Sequence, residues 1–255
     1  MSRLAAVLAP ALLIALMLGA WEAACRLLNV PVFLLPAPSA IAEALIADAP
    51  TLFLSGWNTL SMALSALLLA ALFAWPLALV AALSSSLERA VRPLAVTLQV
   101  TPVVAIAPLV VIWAGLDHPE RAITVLAAIV AFFPLFSGAL TGLKFADPDL
   151  ERLFDLYGAT RGQRLLRLRL SAAAPFVLEG VKVATGLSII GAVVAEFVAG
   201  SGAAQGLAWR ILETSHQYRT AEMFAALVAL ALLAVVLYAL TQAAEARILK
   251  KWRGR

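Results

Sequence analysis

The residues that could do covalent or metal chemistry are few and scattered. Cys25 is the only cysteine, and His118 and His216 are the only histidines. No internal disulfide and no zinc-type ligand spacing can be built from them. A Gly-x-x-x-x-Gly-Lys-Ser/Thr phosphate loop is absent, so the chain is not expected to be an ATPase. No acid, base and nucleophile come together as an enzyme site would need, and neither a cofactor nor a metal is expected in this chain. The carboxylates inside apolar segments include Glu196, Glu222 and Glu179. Glu179 stands one helical turn from Lys182, a spacing that pairs them on one face. Glu196 is a candidate proton or ion relay, but no second carboxylate forms a chain with it, and it stands near a segment end where water reaches.

The remaining chemistry is recognition, and it is concentrated in residues 144–174. Asp147-Pro148-Asp149-Leu150-Glu151 is a helix start: an N-cap carboxylate, a proline at the first helical position and acids in the first turn. Gly158 is a helix stop. The spacing predicts a short helix over 148–157, a turn, and a separate basic helix from about residue 162 carrying Arg164, Arg167 and Arg169. Leu150, Leu153, Phe154 and Tyr157 recur at helical spacing on the first of these. An apolar and aromatic face on so polar a segment needs a partner. Two partners fit: the protein's own helical bundle with the lipid headgroups, or a separate protein.

The elements that must position this loop are set by composition. The chain has 255 residues, 63% hydrophobic and 13% charged, with mean hydropathy +0.96. Soluble domains are about 45–50% apolar and about 25% charged, and a globule of this size has too little interior for the surplus. Disorder is excluded by the same numbers, and charge is too sparse for a nucleic-acid-binding stripe. A single all-α, polytopic membrane domain over 1–255 is expected, in the lipid bilayer. Six apolar runs mark its spans: 4–24, 57–83, 94–116, 122–143, 175–199 and 221–243. The first resembles a secretory signal, but Glu22 precedes Cys25 where a lipid-attachment site wants an apolar residue, and about 20 apolar residues suffice to cross a bilayer. It is read as a retained span. Six spans place both termini on one side. Fifteen of the nineteen lysines and arginines then share that side with residues 84–93 and 144–182, and only Arg26, Arg121, Arg210 and Arg219 lie opposite. Positive charge favours the cytoplasm, so both termini are expected to be cytoplasmic in the inner membrane.

The spans are interrupted. Pro76, Pro102, Pro108 and Pro134 lie within them, and proline removes a helical hydrogen bond. Thr101-Pro102 and Ala107-Pro108 bracket a broken or bent segment, which is either a packing kink or the wall of a translocation path. Asn58, Gln99, Thr101, Pro102, Thr185 and Ser188 are candidates to line that path; the polar ones among them serve equally as hydrogen-bonding contacts between helices. Gly138 and Gly142 make a small-residue face for close helix contact. In the first external connection Ser39 is expected to cap a short interfacial helix ending at Ala47.

These residues together resemble the permease subunits of ABC importers, in the group that carries nitrate, sulfonate, taurine or thiamine-precursor-type solutes. The likeness is carried by Leu35-Pro36-Ala37-Pro38-Ser39, by Thr101-Pro102 through Ala107-Pro108-Leu109 and Ile112-Trp113, by Asp147-Pro148-Asp149-Leu150 with Tyr157-Gly158-Ala159-Thr160-Arg161, and by Gly191-Ala192-Val193-Val194-Ala195-Glu196-Phe197. The group's loop signature is Glu-Ala-Ala, three residues, Gly, nine residues, then Ile-x-Leu-Pro. Gly158 matches the glycine, whereas Arg152-Leu153-Phe154 stands in place of Glu-Ala-Ala and Ser171 in place of the proline.

The resemblance implies a type I ABC importer permease. It implies a second permease copy in a homodimer, two ATP-binding subunits that hold ATP and magnesium, and an extracytoplasmic solute-binding protein. It makes Leu153, Phe154, Asp155, Tyr157, Gly158, Ala159, Thr160 and Arg161 the loop that couples to the ATPase. The competing reading, an ion-coupled secondary transporter, would need inverted repeats and midplane ion ligands; no convincing repeat is visible.

Overall fold

The structure is a computed structural model that describes residues 3–115, 118–199 and 204–253. Leu116, at the end of the third expected span, and Arg255 lie outside the described residues. Every regular element among the described residues is helical: α1 (Arg3–Leu27), α2 (Pro38–Ala47), α3 (Ala49–Leu83), α4 (Ser85–Val100), α5 (Val103–Ala114), α6 (Pro119–Lys144), α7 (Pro148–Leu156), α8 (Arg161–Arg164), a π-helical segment (Leu165–Arg169), α9 (Leu170–Ala199), α10 (Leu207–His216) and α11 (Thr220–Arg253). Five stretches are long and apolar enough to cross a membrane, and the α4–α5 pair makes a sixth if it counts as one span.

One expectation is met and two are corrected. The third run is broken, as its prolines predict: α4 and α5 meet at 96°. The break falls at Thr101-Pro102, since Pro102 cannot donate a helical hydrogen bond and forces Thr101 into an extended conformation, ψ 126°. Pro108 is carried inside α5. The basic helix after Gly158 is not separate from the fifth span: α8, the π segment and α9 run on continuously, and the membrane-length stretch is Arg161–Val198. Ser39 does not cap α2. Pro38 occupies the first turn behind Ala37, which makes no side-chain cap. The Ser39 N–H and hydroxyl both donate to Glu22, at 3.0 and 2.8 Å. The carboxylate on the preceding helix, already paired with Arg26 at 2.6 Å, is the stronger acceptor.

Backbone contacts group the chain into two compact units. The first comprises residues 1–57 and 205–231. In it Trp21 meets Phe224 edge-on at 6.1 Å and Thr220 donates to the Phe33 carbonyl at 2.9 Å. α10 belongs here and was not expected; Leu207 and Ala208 bury its first turn, and Arg210 reaches Glu213 at 2.7 Å.

The second unit comprises residues 58–204 and 232–255. Its core is the α6–α9 pair, the most extensive helix contact described. Ile123, Leu126, Leu135, Phe136 and Leu140 are fully buried on α6. As the small-residue pattern predicts, Gly138 and Gly142 sit at the crossing, against Gly180 and Ala173 of α9. Ion pairs tie the helices of this unit at their ends. Glu88 of α4 takes both Arg92 and Lys144 of α6. Lys182 pairs with Glu179, as its spacing predicts, and also with Glu245 of α11 at 3.1 Å.

Candidate coupling loop and path residues

α7 forms because its two ends are both fixed. At the start, the Asp147 carboxylate accepts from the Asp149 N–H at 2.8 Å and Pro148 fills the first helical position. At the end, the Gly158 N–H donates to the Asp155 carbonyl at 3.0 Å and the Ala159 N–H to the Phe154 carbonyl at 2.9 Å. That pair of bonds is the Schellman closure, and it requires a left-handed residue; Gly158 has φ +62°. The next helix starts at once. The Thr160 hydroxyl accepts from the Gln163 N–H at 3.3 Å, while the Gln163 side chain accepts from the Thr160 N–H at 2.9 Å. This capping box was legible as Thr-x-x-Gln and was missed.

No side chain of α7 is fully buried. Leu150 and Leu153 are exposed, Leu156 and Tyr157 are 85% and 81% exposed, and Phe154 is half-buried. The apolar face expected from the spacing therefore stands largely open, with Phe154 half-buried and Leu156 added. Leu156, one turn beyond Leu153, continues the i, i+3 row and was missed. The polar flank of α7 is engaged: Glu151 and Asp155 both reach Arg164 of α8. Arg161 and Arg152 are solvent-exposed, Arg152 beside Asp149 at 3.1 Å.

The path candidates lie on four separate elements. Asn58 is half-buried on α3, Gln99 is exposed in the last turn of α4, and Thr101 and Pro102 form the break. Thr101 donates to the Thr97 carbonyl at 2.7 Å, which closes α4. Thr185 and Ser188 are buried on α9, where their hydroxyls donate to the carbonyls of Val181, at 2.7 Å, and Thr185, at 2.9 Å. Glu196 is 3% exposed, more deeply enclosed than a position near the water interface implied. Thr59 of α3 is fully buried as well.

Residues 74–254 match the family model described as binding-protein-dependent transport system inner membrane component. The chain is 33% identical to the formylaminopyrimidine transport permease protein ThiX of Halalkalibacterium halodurans, over the whole of both chains. It is 32% identical to the riboflavin transport system permease protein RibX of Chloroflexus aurantiacus, covering 94% of this chain and 88% of that one. The taurine transport system permease protein TauC of Escherichia coli is 27% identical, with the same two coverages. These relatives favour an ABC importer permease over an ion-coupled carrier.

Proposed function

We propose how this chain, which belongs to the family of binding-protein-dependent transport system inner membrane components and is the permease subunit of an ABC importer, is coupled to its energy source. The chain is a multi-pass inner-membrane transport component, and its family works with an ATPase and a binding protein. The finer reading is that α7 is the coupling helix. Leu153, Phe154, Asp155, Tyr157, Gly158, Ala159, Thr160 and Arg161 would seat it in a groove of the ATP-binding subunit. The observation that carries this is the open apolar face of α7: a nine-residue helix without one buried side chain, yet fixed at both ends. So short a helix is marginal in water by itself, and its exposed Leu153, Leu156 and Tyr157 suit a protein groove.

Two copies of the chain would form the path, with two ATP-binding subunits below and the solute-binding protein outside. ATP and magnesium would be held by the ATP-binding subunits, with no cofactor in this chain. ATP closes the ATPase pair, and its differential affinity for the two states shifts the spans from inward- to outward-facing. Both termini would be cytoplasmic, which the fifteen-to-four division of positive charge supports. A reporter that is active only in the cytoplasm, fused after Arg255, should be active. A fusion active only outside the cell would overturn the orientation and with it α7 as a cytoplasmic element.

For the solute we favour a small nitrogen heterocycle. ThiX and RibX, named for formylaminopyrimidine and riboflavin transport, are more similar to this chain than TauC is. Among the described residues the fully buried polar side chains include Thr59, Thr185 and Ser188 and no lysine or arginine, so a path through them offers no fixed positive charge to a sulfonate. The chain co-expressed with its cognate ATPase and binding protein should co-purify with the ATPase. In proteoliposomes it should take up a pyrimidine or flavin solute, and not taurine, when ATP is present. Uptake driven by an ion gradient without ATP would refute the coupling scheme; ATP-driven uptake of taurine alone would refute the solute class.

A further inference from the structure

We propose that Glu151, Arg164 and Arg169 form a clasp that makes α7 a rigid extension of α9, so that a push on α7 turns the fifth span instead of bending the loop. Burial does not hold α7 in place, because none of its side chains is fully buried. Side-chain ties from its polar flank into the next helix do. The Glu151 carboxylate accepts from Arg169 Nε at 2.8 Å through one oxygen and from Arg164 Nη1 at 3.2 Å through the other. Arg164 Nη2 donates to Asp155 one turn further along α7. All three clasp side chains are at most 30% exposed. Arg164 Nε is buried with no acceptor, while the other two guanidinium nitrogens are paired with Glu151 and Asp155.

The π segment explains how both arginines reach one carboxylate. In an α-helix of 3.6 residues per turn, residues five apart lie about 140° apart around the axis. Between Arg164 and Arg169 the helix is wound with the wider i→i+5 pattern, and the Leu170 N–H donates to the Leu165 carbonyl. The wider turn brings the fifth residue closer in angle to the first than an α-helix does. Wound as an α-helix, this segment would aim one of the two arginines away from Glu151. The unusual turn and the paired arginines are one device, and they make Glu151, Arg164 and Arg169 positioning residues for coupling, without contact to solute or nucleotide.

This inference rests on α7 being the coupling helix, and the test separates the two. The whole complex is reconstituted with binding protein, and uptake is measured per ATP hydrolysed. In a Cys25→Ala background, Leu156→Cys, at the exposed tip of α7, reports contact with the ATPase through a thiol-to-amine cross-linker. Glu151→Gln and Arg169→Gln should leave the cross-link and the binding-protein-stimulated ATPase in place while uptake per ATP falls at least about fivefold, the lower end of ordinary site-to-site coupling. Arg89→Gln, which removes an exposed arginine that among the described residues bonds to the Ser85 carbonyl of its own helix, should change neither. An intact cross-link with unchanged uptake per ATP overturns the clasp and leaves α7 as the coupling helix. Uptake, ATPase and thermal stability falling together also overturn it, since that is the mark of a merely structural pair. A parent complex without any cross-link overturns both readings.

Discussion

Replacing Gly158 with valine should lower ATP-driven uptake about tenfold, while replacing it with asparagine should preserve most of it. Residue 158 has φ +62°, a conformation that costs an ordinary L-residue about 1–2 kcal/mol and a β-branched one more. About 1.4 kcal/mol is a factor of ten in a population. Asparagine tolerates that region. No heavy atom lies within 4 Å of the position a Cβ would take, so within this chain the demand is for the dihedral and not for space. Without the left-handed residue, the bonds from Gly158 and Ala159 to the last turn of α7 cannot both close. The chain then leaves α7 in another direction, and Thr160 no longer starts α8 where Arg164 meets Glu151. Uptake and membrane insertion of both variants decide it. Equal loss in the two would mean that the partner ATPase approaches this glycine too closely for any side chain, and the backbone argument would fail.

What the sequence made legible here was local. Asp147, Pro148 and Gly158 mark the ends of α7 by stereochemistry that no tertiary contact overrides, so its limits came within one residue. The apolar runs followed from transfer free energy alone. The elements that were misread depend on competition between distant groups. Ser39 had a free choice of acceptor from sequence, and Glu22, seventeen residues back, took both of its donors. Basic residues after Gly158 predict a helix separate from the fifth span, whereas they continue into α9, with Glu151 and Asp155 neutralising Arg164 and Glu151 neutralising Arg169 along the way. A π segment has no residue signature, so its effect on which arginines face α7 was out of reach. Glu196 looked wet from its place near a span's end and is enclosed.

The ties of the second unit share a pattern that bears on mechanism. Glu88–Lys144 joins α4 to α6, Glu151 joins α7 to the helix that becomes α9, and Lys182–Glu245 joins α9 to α11. Each alone is a partly exposed pair worth little. Together they cross-brace α4, α6, α7, α9 and α11, and bracing counts where a displacement must be passed on whole rather than absorbed. α9 has a place in two of the three ties and in the glycine crossing with α6, so a force reaching it is shared with the rest of the unit.

That crossing carries the second large effect. A Cβ added at Gly180 would stand 2.7 Å from the Pro134 carbonyl oxygen, and one at Gly138 2.7 Å from the Phe176 carbonyl oxygen. At Gly142 and Gly191 the nearest atoms are the Cα atoms of Ala173 and Ala127, each at 2.8 Å. All four obstacles are backbone, which cannot swing aside as a side chain can, so the helices must separate. Membrane helices associate through close packing rather than through the hydrophobic effect, so a separated pair has little to replace what it loses. Gly180→Ala should destabilise the purified protein by about 1–3 kcal/mol, the usual cost of overpacking, and Gly180→Val by more. Gly186 lies on the same helix with nothing within 4 Å of its would-be Cβ. Gly186→Ala should therefore be neutral or stabilising by up to about 1 kcal/mol, since alanine is the better helix former. Thermal unfolding in detergent separates the two alanines. Should they melt alike, α6 and α9 do not cross this closely in the membrane, and α9 could not transmit motion to α6 through this contact.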